Sequence, residues 1–182
     1  ASLAPNAGER SFQHVFYSSS GSESNDSNVR MVRRYWDLLG QPQRKVIISR
    51  INAYHGSTMA GASLGGMSGM HAQGDLPIPN ITHIEQPYFF ENGLPGENAN
   101  EFGLRAAGWL EEKILALGPD KVAAFIAEPI QGAGGVIIPA GAPVAVEWER
   151  DAASGLTKVV GSAFLGVAEL QDLKGVGILS DL

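Results

Sequence analysis

The sequence predicts an α/β protein whose mainly parallel sheet carries helices on its faces. Two short apolar runs, residues 45–50 and 122–127, have the composition of buried strands. Two amphipathic segments, residues 22–39 and 100–117, have the apolar spacing of helices. Because strands alternate with helices along the chain, we expect βαβ units and a parallel sheet.

The first predicted helix, residues 22–39, follows a turn of small residues that is entered by a β-type stretch at residues 15–17. Val29, Val32 and Trp36 recur at helical spacing and form its apolar stripe. The next element, residues 45–50, is rich in β-branched side chains and is predicted to be a buried strand.

The middle of the chain is less regular. Residues 56–69 are rich in Gly, Ala, Ser and Met and are predicted to hold a helix near residues 57–64. Residues 71–96 contain four prolines and are predicted to be a loop. The clearest helix follows at residues 100–117, with Asn100 as its N-cap, before the apolar strand 122–127.

Three features are expected at one edge of the sheet, because ligands gather at the carboxyl ends of parallel strands. They are the turn Ser20-Gly21-Ser22, Tyr54 after the first strand and Glu128 after the second. The turn opens a helix, so its backbone N–H groups and hydroxyls form a possible phosphate site. The alternative is an ordinary serine-rich N-cap.

The other two positions also leave alternatives open. Tyr54 is either a half-buried aromatic or a ring that stacks on a planar ligand. The neighbouring His55 is either an acid–base group or a polar loop residue. Glu128 and the glycine cluster at residues 132–135 form either a strand end with a tight turn or a carboxylate beside a flexible wall.

Composition excludes several classes of protein. Of the 182 residues, 44% are hydrophobic and 18% are charged, which indicates a globular chain. The net charge of −6 argues against nucleic acid or an anionic membrane as partner. The chain has no cysteine and no apolar run long enough to cross a bilayer, so a cytoplasmic protein is expected.

The common short motifs of nucleotide-binding and hydrolytic enzymes do not occur in this sequence. It has no G-x-x-x-x-G-K-[ST], no G-x-G-x-x-G after a strand, no H-E-x-x-H and no G-x-S-x-G. A phosphate site here would therefore differ from a Walker or Rossmann site, and no metal site is predicted.

Four blocks in order nevertheless resemble the class III, omega-type, pyridoxal-phosphate-dependent aminotransferases. The blocks are FYSSSGSESND at residues 16–26, RMVRRYW at 30–36, AYHGST at 53–58 and AFIAEPIQGAGG at 124–135. Together they span roughly residues 12–139. The nearest likeness is to transaminases coupled to pyruvate or alanine.

The resemblance implies part of a fold-type I large domain, active as a homodimer with pyridoxal 5′-phosphate. In the family pattern, Ser20, Gly21 and Ser22 match the turn that binds the cofactor phosphate. Tyr54 matches the aromatic that stacks on the pyridine ring, and Glu128 matches the carboxylate below the cofactor. The implied reaction transfers an amino group from an amine or amino acid to a keto acid such as pyruvate.

The sequence departs from the family after Pro139. No match is found for the aspartate that holds the pyridinium proton or for the Schiff-base lysine, and Lys158 and Lys174 lack the expected flanking residues. No catalytic residue is therefore identified, and the chain by itself is expected to be inactive. Both ends of the chain resemble cuts through a larger fold.

One prediction of domain organisation and two functional hypotheses follow. Residues 1–140 are predicted to be part of the cofactor-binding large domain, and residues 141–182 a divergent tail. The first functional hypothesis is a transaminase to which this chain contributes. The second is a truncated, non-catalytic remnant that binds cofactor phosphate weakly or only pairs with a subunit.

Overall fold

The computed structural model describes residues 16–139, 144–150 and 157–163, and side-chain burial is described for residues 16–139. In chain order, the elements are α1 (Gly21–Leu38), β1 (Val46–Arg50), α2 (Met59–Leu64), α3 (Ser68–Ala72), β2 (Ile81–Ile84), α4 (Phe89–Asn92), α5 (Ala99–Leu117), β3 (Val122–Phe125), β4 (Val144–Arg150) and β5 (Thr157–Ala163).

The main sheet has three parallel strands in the order β2–β1–β3. Ser49 of β1 lies opposite His83 of β2, and Ile48 lies opposite Phe125 of β3. This arrangement confirms the predicted α/β class with a parallel sheet. A second sheet is the antiparallel pair β4–β5, which lies in the region predicted as a divergent tail.

Helices cover both faces of the central sheet. On one face, α1 and α2 bury the predicted stripe of Val29, Val32 and Trp36 with Ile47 and Leu64. The Trp36 indole also donates a hydrogen bond of 2.9 Å to the carbonyl of Ala123 in β3. Because α1 is anchored along the sheet in this way, its N-terminus is held near the carboxyl ends of the strands.

The opposite face packs against α5. Ile48, Ile84 and Val122 form its buried centre, and Leu110 and Ile114 of α5 lie against them. Parallel strands buried on both faces are expected to be continuously apolar, which explains why the β1 and β3 sequences predicted their structure.

Three local predictions were wrong, the third being the N-cap of α5. Residues 71–96 were predicted to be a loop, but residues 81–84 form β2, which pairs with β1 along its length. Four residues without clear alternation carry little sequence signal, and the pairing with β1 determines the strand. Phe16 and Tyr17 were predicted to be β-type but are exposed coil, because no strand in the described part of the chain pairs with them; Val15 lies outside that part.

The N-cap of α5 is Asn98 rather than the predicted Asn100. The Asn98 side chain accepts from the N–H groups of Asn100 and Glu101, both at 3.0 Å, and Glu101 accepts from the Asn98 N–H at 2.9 Å. This reciprocal capping box satisfies donors at both ends of the first turn, which a cap at Asn100 would not do.

Replacing Asn98 with alanine is expected to lower the free energy of unfolding by about 1 kcal/mol, because the cap and its box are both lost. Asn100→Ala, two residues later, is the matched control and should change it by only a few tenths of a kcal/mol. Urea unfolding followed by tryptophan fluorescence measures both values. Equal losses in the two variants would contradict the assignment of the cap.

Candidate functional site

The N-terminus of α1 presents backbone donors to an open surface. Ser20 is the N-cap, and its hydroxyl accepts a 3.2 Å hydrogen bond from the N–H of Glu23. Among the described residues, the Gly21 and Ser22 N–H groups donate no hydrogen bond, whereas those of Ser19 and Glu23 do. A Cβ built on Gly21 would meet no atom of the described residues within 4 Å, so the turn is open on that side. Two free N–H groups at the positive end of a long helix are suited to an anion.

Ser22 joins this turn to the loop after β1. Its hydroxyl accepts a 3.1 Å hydrogen bond from the N–H of Ser57. Gly56 adopts a φ of +121°, and a Cβ at this position would lie 2.9 Å from the Ser22 Cα and 2.6 Å from its Oγ. Only glycine therefore allows the loop and the helix to approach this closely.

Two further side chains of α1 bind the same loop. Asn25, which is buried, donates a 2.8 Å hydrogen bond to the carbonyl of His55. Asp26 accepts a 2.6 Å hydrogen bond from the hydroxyl of Thr58, which also caps α2. Sequence analysis missed these residues. The available signal was Asn25 itself, a polar residue at helical spacing on the stripe that continues through Val29.

Tyr54 and Glu128 meet directly, although 74 positions separate them in the sequence. One carboxylate oxygen of Glu128 accepts a 2.8 Å hydrogen bond from the Tyr54 N–H, and the other accepts a 3.0 Å bond from the Gly132 N–H. The Tyr54 side chain remains 42% exposed. Glu128 thus holds the loop after β1 against the turn after β3 and leaves the Tyr54 ring accessible.

Arg50, at the end of β1, contacts Glu128 through its side chain. Its guanidinium lies 3.4 Å from the Glu128 carbonyl. Burial lowers the pKa of Arg50 to about 10, and the Glu128 carboxylate opposes that shift. Arg50 therefore stays charged at neutral pH and places a positive charge beside the Glu128 carboxylate.

The glycine cluster after Glu128 forms a turn, as one of the two sequence alternatives predicts, and most of its residues are exposed. Gln131 and Ile137 exchange two backbone hydrogen bonds of 3.0 Å, and the buried Gln131 side chain donates to the carbonyl of Ile51 at 2.8 Å. A Cβ at Gly134 would lie 2.1 Å from the carbonyl oxygen of Asn52. The turn is therefore pressed against the loop that carries Tyr54.

His55 is neither an exposed acid–base group nor a solvated loop residue. Its side chain is only 4% exposed, and its Nε2 has no hydrogen-bond partner among the described residues. Burial, and secondly the neighbouring His83, lower the pKa of His55 to about 4. The imidazole is therefore neutral at physiological pH and belongs to the interior.

All predicted site residues lie in the described part of the chain, and one pair of them, Tyr54 and Glu128, is joined by a direct hydrogen bond. Ser22 is bound to Ser57, three residues after Tyr54, and Tyr54 is bound to Glu128. The predicted meeting at one edge of the sheet is therefore what the structure contains. Across the described ranges no cluster of side chains suits a metal ion, and none of the helices there has the length and apolar character of a membrane span.

Sequence comparison finds close relatives among transaminases. The putrescine–pyruvate aminotransferase of Pseudomonas aeruginosa is 62% identical over 127 residues, which are 69% of this chain and 27% of that protein. A probable gamma-aminobutyrate transaminase 2, mitochondrial, of Oryza sativa subsp. indica is 53% identical over 125 residues, covering 69% and 25%. The chain thus spans about a quarter of the length of these curated relatives.

Solved structures share the fold. The omega transaminase from Pseudomonas jessenii in complex with PMP superposes with a TM-score of 0.66 at 48% identity, over 68% of this chain and 27% of that one. A structure described as a transaminase with L-ala gives a TM-score of 0.66 at 47% identity, over 68% and 29%. The predicted fold-type I architecture is thereby confirmed.

The family model described as aminotransferase class-III matches residues 1–145. The match ends close to Pro139, where the sequence ceases to resemble the family. Since the matched region is well over half of the 182 residues, the chain belongs to the class-III aminotransferase family.

Proposed function

We propose that the protein containing this chain is a transaminase dependent on pyridoxal 5′-phosphate, and that the chain supplies part of its cofactor site. The observation that carries the proposal is a helix N-terminus whose Gly21 and Ser22 N–H groups have no partner among the described residues, joined through the Ser22–Ser57 bond to the loop that carries the exposed Tyr54. Membership of the class-III aminotransferase family supports the same conclusion.

The residues present fit this cofactor. Its phosphate carries negative charge, which the free N–H groups of Gly21 and Ser22 would bind at the positive end of α1. The Ser20 hydroxyl oxygen accepts from the Glu23 N–H, and its O–H can still donate to the phosphate. Tyr54 offers an exposed aromatic face for a flat pyridine ring.

The cofactor, when bound, supplies the electron sink that amino-group transfer requires. The role of this chain is to hold and orient it. The α1 turn binds the phosphate end, and Tyr54 supports the ring. Glu128 holds the Tyr54 backbone through one carboxylate oxygen and the Gly132 backbone through the other, so the loop that carries the ring is fixed against the turn after β3.

The substrate class follows from the relatives. We propose an amine or amino acid as amino donor and a keto acid such as pyruvate as acceptor. The name of the Pseudomonas aeruginosa relative joins putrescine with pyruvate, and the rice relative is named for gamma-aminobutyrate. The pyruvate half of the reaction is supported by the relative at 62% identity.

A second candidate is a remnant that binds the cofactor phosphate weakly or only pairs with a subunit. It is favoured by the absence of a recognisable Schiff-base lysine and pyridinium aspartate after Pro139, close to where the family match ends at residue 145. In β5, Lys158 is paired in register with Glu149, while Lys174 lies outside the described residues. Under either candidate, the 182-residue chain alone is expected not to transaminate.

The remaining assignments also rest on the resemblance and the composition. We propose a homodimer in the cytoplasm, although the rice relative carries the word mitochondrial in its name. The net charge of −6 supports small-molecule substrates rather than nucleic acid or an anionic membrane as partners. The division at residue 140 remains a prediction.

Replacing Gly21 with proline tests the phosphate site with little disturbance of the helix. Gly21 is the first helical residue, where proline is well tolerated, and Ser20 already has the extended backbone that precedes proline (φ −158°, ψ 161°). The change removes one free N–H. We expect binding of 4-deoxypyridoxine 5′-phosphate, which cannot form a Schiff base, to weaken about tenfold, the value of one charge-assisted hydrogen bond. Equilibrium dialysis of the whole protein measures this affinity.

Two controls accompany that measurement. Binding of 4-deoxypyridoxine, which lacks the phosphate, should change less than twofold in Gly21→Pro. Tyr54→Ala should weaken both ligands several-fold through lost stacking, whereas Tyr35→Ala, whose ring is equally exposed at 42%, should weaken neither. Unchanged phosphate-ligand affinity in Gly21→Pro would remove the basis for the proposed cofactor site.

A further inference from the structure

The contact between Asp26 and Thr58 joins the two halves of the proposed cofactor site. Asp26 lies on α1, one turn after the free N–H groups of Gly21 and Ser22. Thr58 follows Tyr54 by four residues and ends the loop that carries the aromatic ring. The carboxylate accepts the threonine hydroxyl at 2.6 Å, a short, charge-assisted hydrogen bond between partly buried groups.

Thr58 also fixes the loop from its other side. Its hydroxyl oxygen accepts a 3.2 Å hydrogen bond from the Gly61 N–H and thereby caps α2. The buried Ala62 and Leu64 of α2 pack into the core. The Thr58 hydroxyl therefore connects α1 to a helix that is held by the sheet, so the Asp26 contact is anchored at both ends.

The neighbouring contacts hold the same loop through its backbone. Asn25 binds the His55 carbonyl and Ser22 binds the Ser57 N–H. Asp26 is the only member of this group that bears a charge, and its partner is a side chain rather than the backbone. It can therefore be altered without removing a hydrogen bond to the loop backbone and without touching the free N–H groups.

We propose that Asp26, acting through Thr58, is a positioning residue that sets the separation between the phosphate-binding turn and the Tyr54 ring. The inference rests on the proposed function, since the separation matters only for a ligand that has a phosphate and a ring. Such a ligand gains affinity when both ends are engaged at once, and this gain depends on the geometry of the two subsites. The Asp26–Thr58 bond maintains that geometry without touching either end.

This role makes a prediction that a general loss of stability does not. In Asp26→Ala, the phosphate turn and the ring support each stay intact, so the affinities for inorganic phosphate alone and for 4-deoxypyridoxine alone should change less than twofold. The affinity for 4-deoxypyridoxine 5′-phosphate, which spans both, should fall about tenfold. A destabilised protein would instead lose affinity for all three ligands together.

Further variants test whether the loss of the Asp26–Thr58 hydrogen bond, rather than another effect of the substitution, weakens binding. Asp26→Asn keeps an acceptor oxygen and should restore most of the affinity for the spanning ligand. Thr58→Val removes the donor and also the α2 cap, so it should give the same pattern across the three ligands as Asp26→Ala with an added loss of stability. The double variant should bind the spanning ligand no more weakly than Thr58→Val. Asp37→Ala, which removes an ion pair with Lys45 at the other end of α1, is the matched control and should leave all three affinities unchanged.

Equilibrium dialysis of the whole protein with the three ligands is the deciding experiment. A loss confined to the spanning ligand in Asp26→Ala and Thr58→Val supports the inference. Unchanged affinity for that ligand, or an equal loss for all three, overturns it while leaving the proposed function standing. If the unaltered protein does not bind the spanning ligand, the proposed function fails, and the inference fails with it.

Discussion

Gly56→Ala is expected to weaken binding of 4-deoxypyridoxine 5′-phosphate about a hundredfold. An added Cβ would lie 2.9 Å from the Ser22 Cα, a backbone atom that no side-chain rotation can move. The φ of +121° is also strained for any residue with a Cβ. The helix and loop must separate, or the chain must bear a strain of about 3 kcal/mol.

The hundredfold loss follows from the energy needed to restore the binding geometry. If the strain is relieved by moving α1 away from the loop, restoring the approach of Ser22 to Gly56 on binding costs about 3 kcal/mol. This energy corresponds to about two powers of ten in the dissociation constant. Both Ser22 and Tyr54 are affected, because Gly56 lies between the Ser57–Ser22 contact and the Tyr54–Glu128 contact.

Equilibrium dialysis measures the affinity, and urea unfolding reports the stability of the same samples. Gly108→Ala is the matched control, because a Cβ there has no neighbour within 4 Å and alanine favours the interior of α5. That control should bind normally and be as stable as the unaltered protein or slightly more stable. Normal binding by Gly56→Ala would show that the close approach is not needed.

Stability is expected to fall as the pH drops from about 6.5 to about 4, because His55 must stay neutral in the folded protein. Burial, and then His83, lower the pKa of His55 from 6.5 to about 4. Above pH 6.5 the imidazole is neutral in both the folded and the unfolded protein, so His55 does not reduce the free energy of unfolding. Between the two values the unfolded chain binds the proton more readily, so stability decreases as pH falls, and the loss is complete below pH 4.

The loss from His55 alone is about 3 kcal/mol, from 1.36 kcal/mol for each unit of pKa. Burial lowers the pKa of His83 as well, so its contribution has the same sign. Urea unfolding at pH 7.5, 6, 5 and 4 measures the total. His55→Asn removes one titrating group and should reduce the pH-dependent loss of unfolding free energy by about 3 kcal/mol. An identical pH dependence in both proteins would contradict the assignment of His55.

The main helices and strands were predictable because their signals are local. The stripe of Val29, Val32 and Trp36 in α1 and the apolar runs of β1 and β3 reflect burial that repeats with the period of each element. β2 was not predicted because its four residues form a strand only through their pairing with β1. The α5 cap was misplaced because Asn98 and Asn100 both suit an N-cap, and only the partner Glu101 distinguishes them.

In the candidate site, the residues were predictable from the sequence, but the contacts between them were not. Gly21, Ser22, Tyr54 and Glu128 were identified from helix-start and strand-end positions and from the family resemblance, and the structure brings them to one edge. Their connections were not identified. The Asp26–Thr58 bond joins residues that are 32 positions apart, one at the end of each of two family-like blocks, and nothing in the sequence pairs them.

The sequence by itself determined the α/β class, the acidic charge, the family and the residues that bear the candidate chemistry. All of these depend on composition, local periodicity or short motifs. Only the tertiary structure decided that Gly56 must lack a side chain, that His55 is buried and neutral, and that Glu128 holds the backbone of Tyr54. The physical reason is that close approach, desolvation and long-range hydrogen bonding depend on distances set by the register of β1 against its neighbours and by the packing of α1 on the sheet.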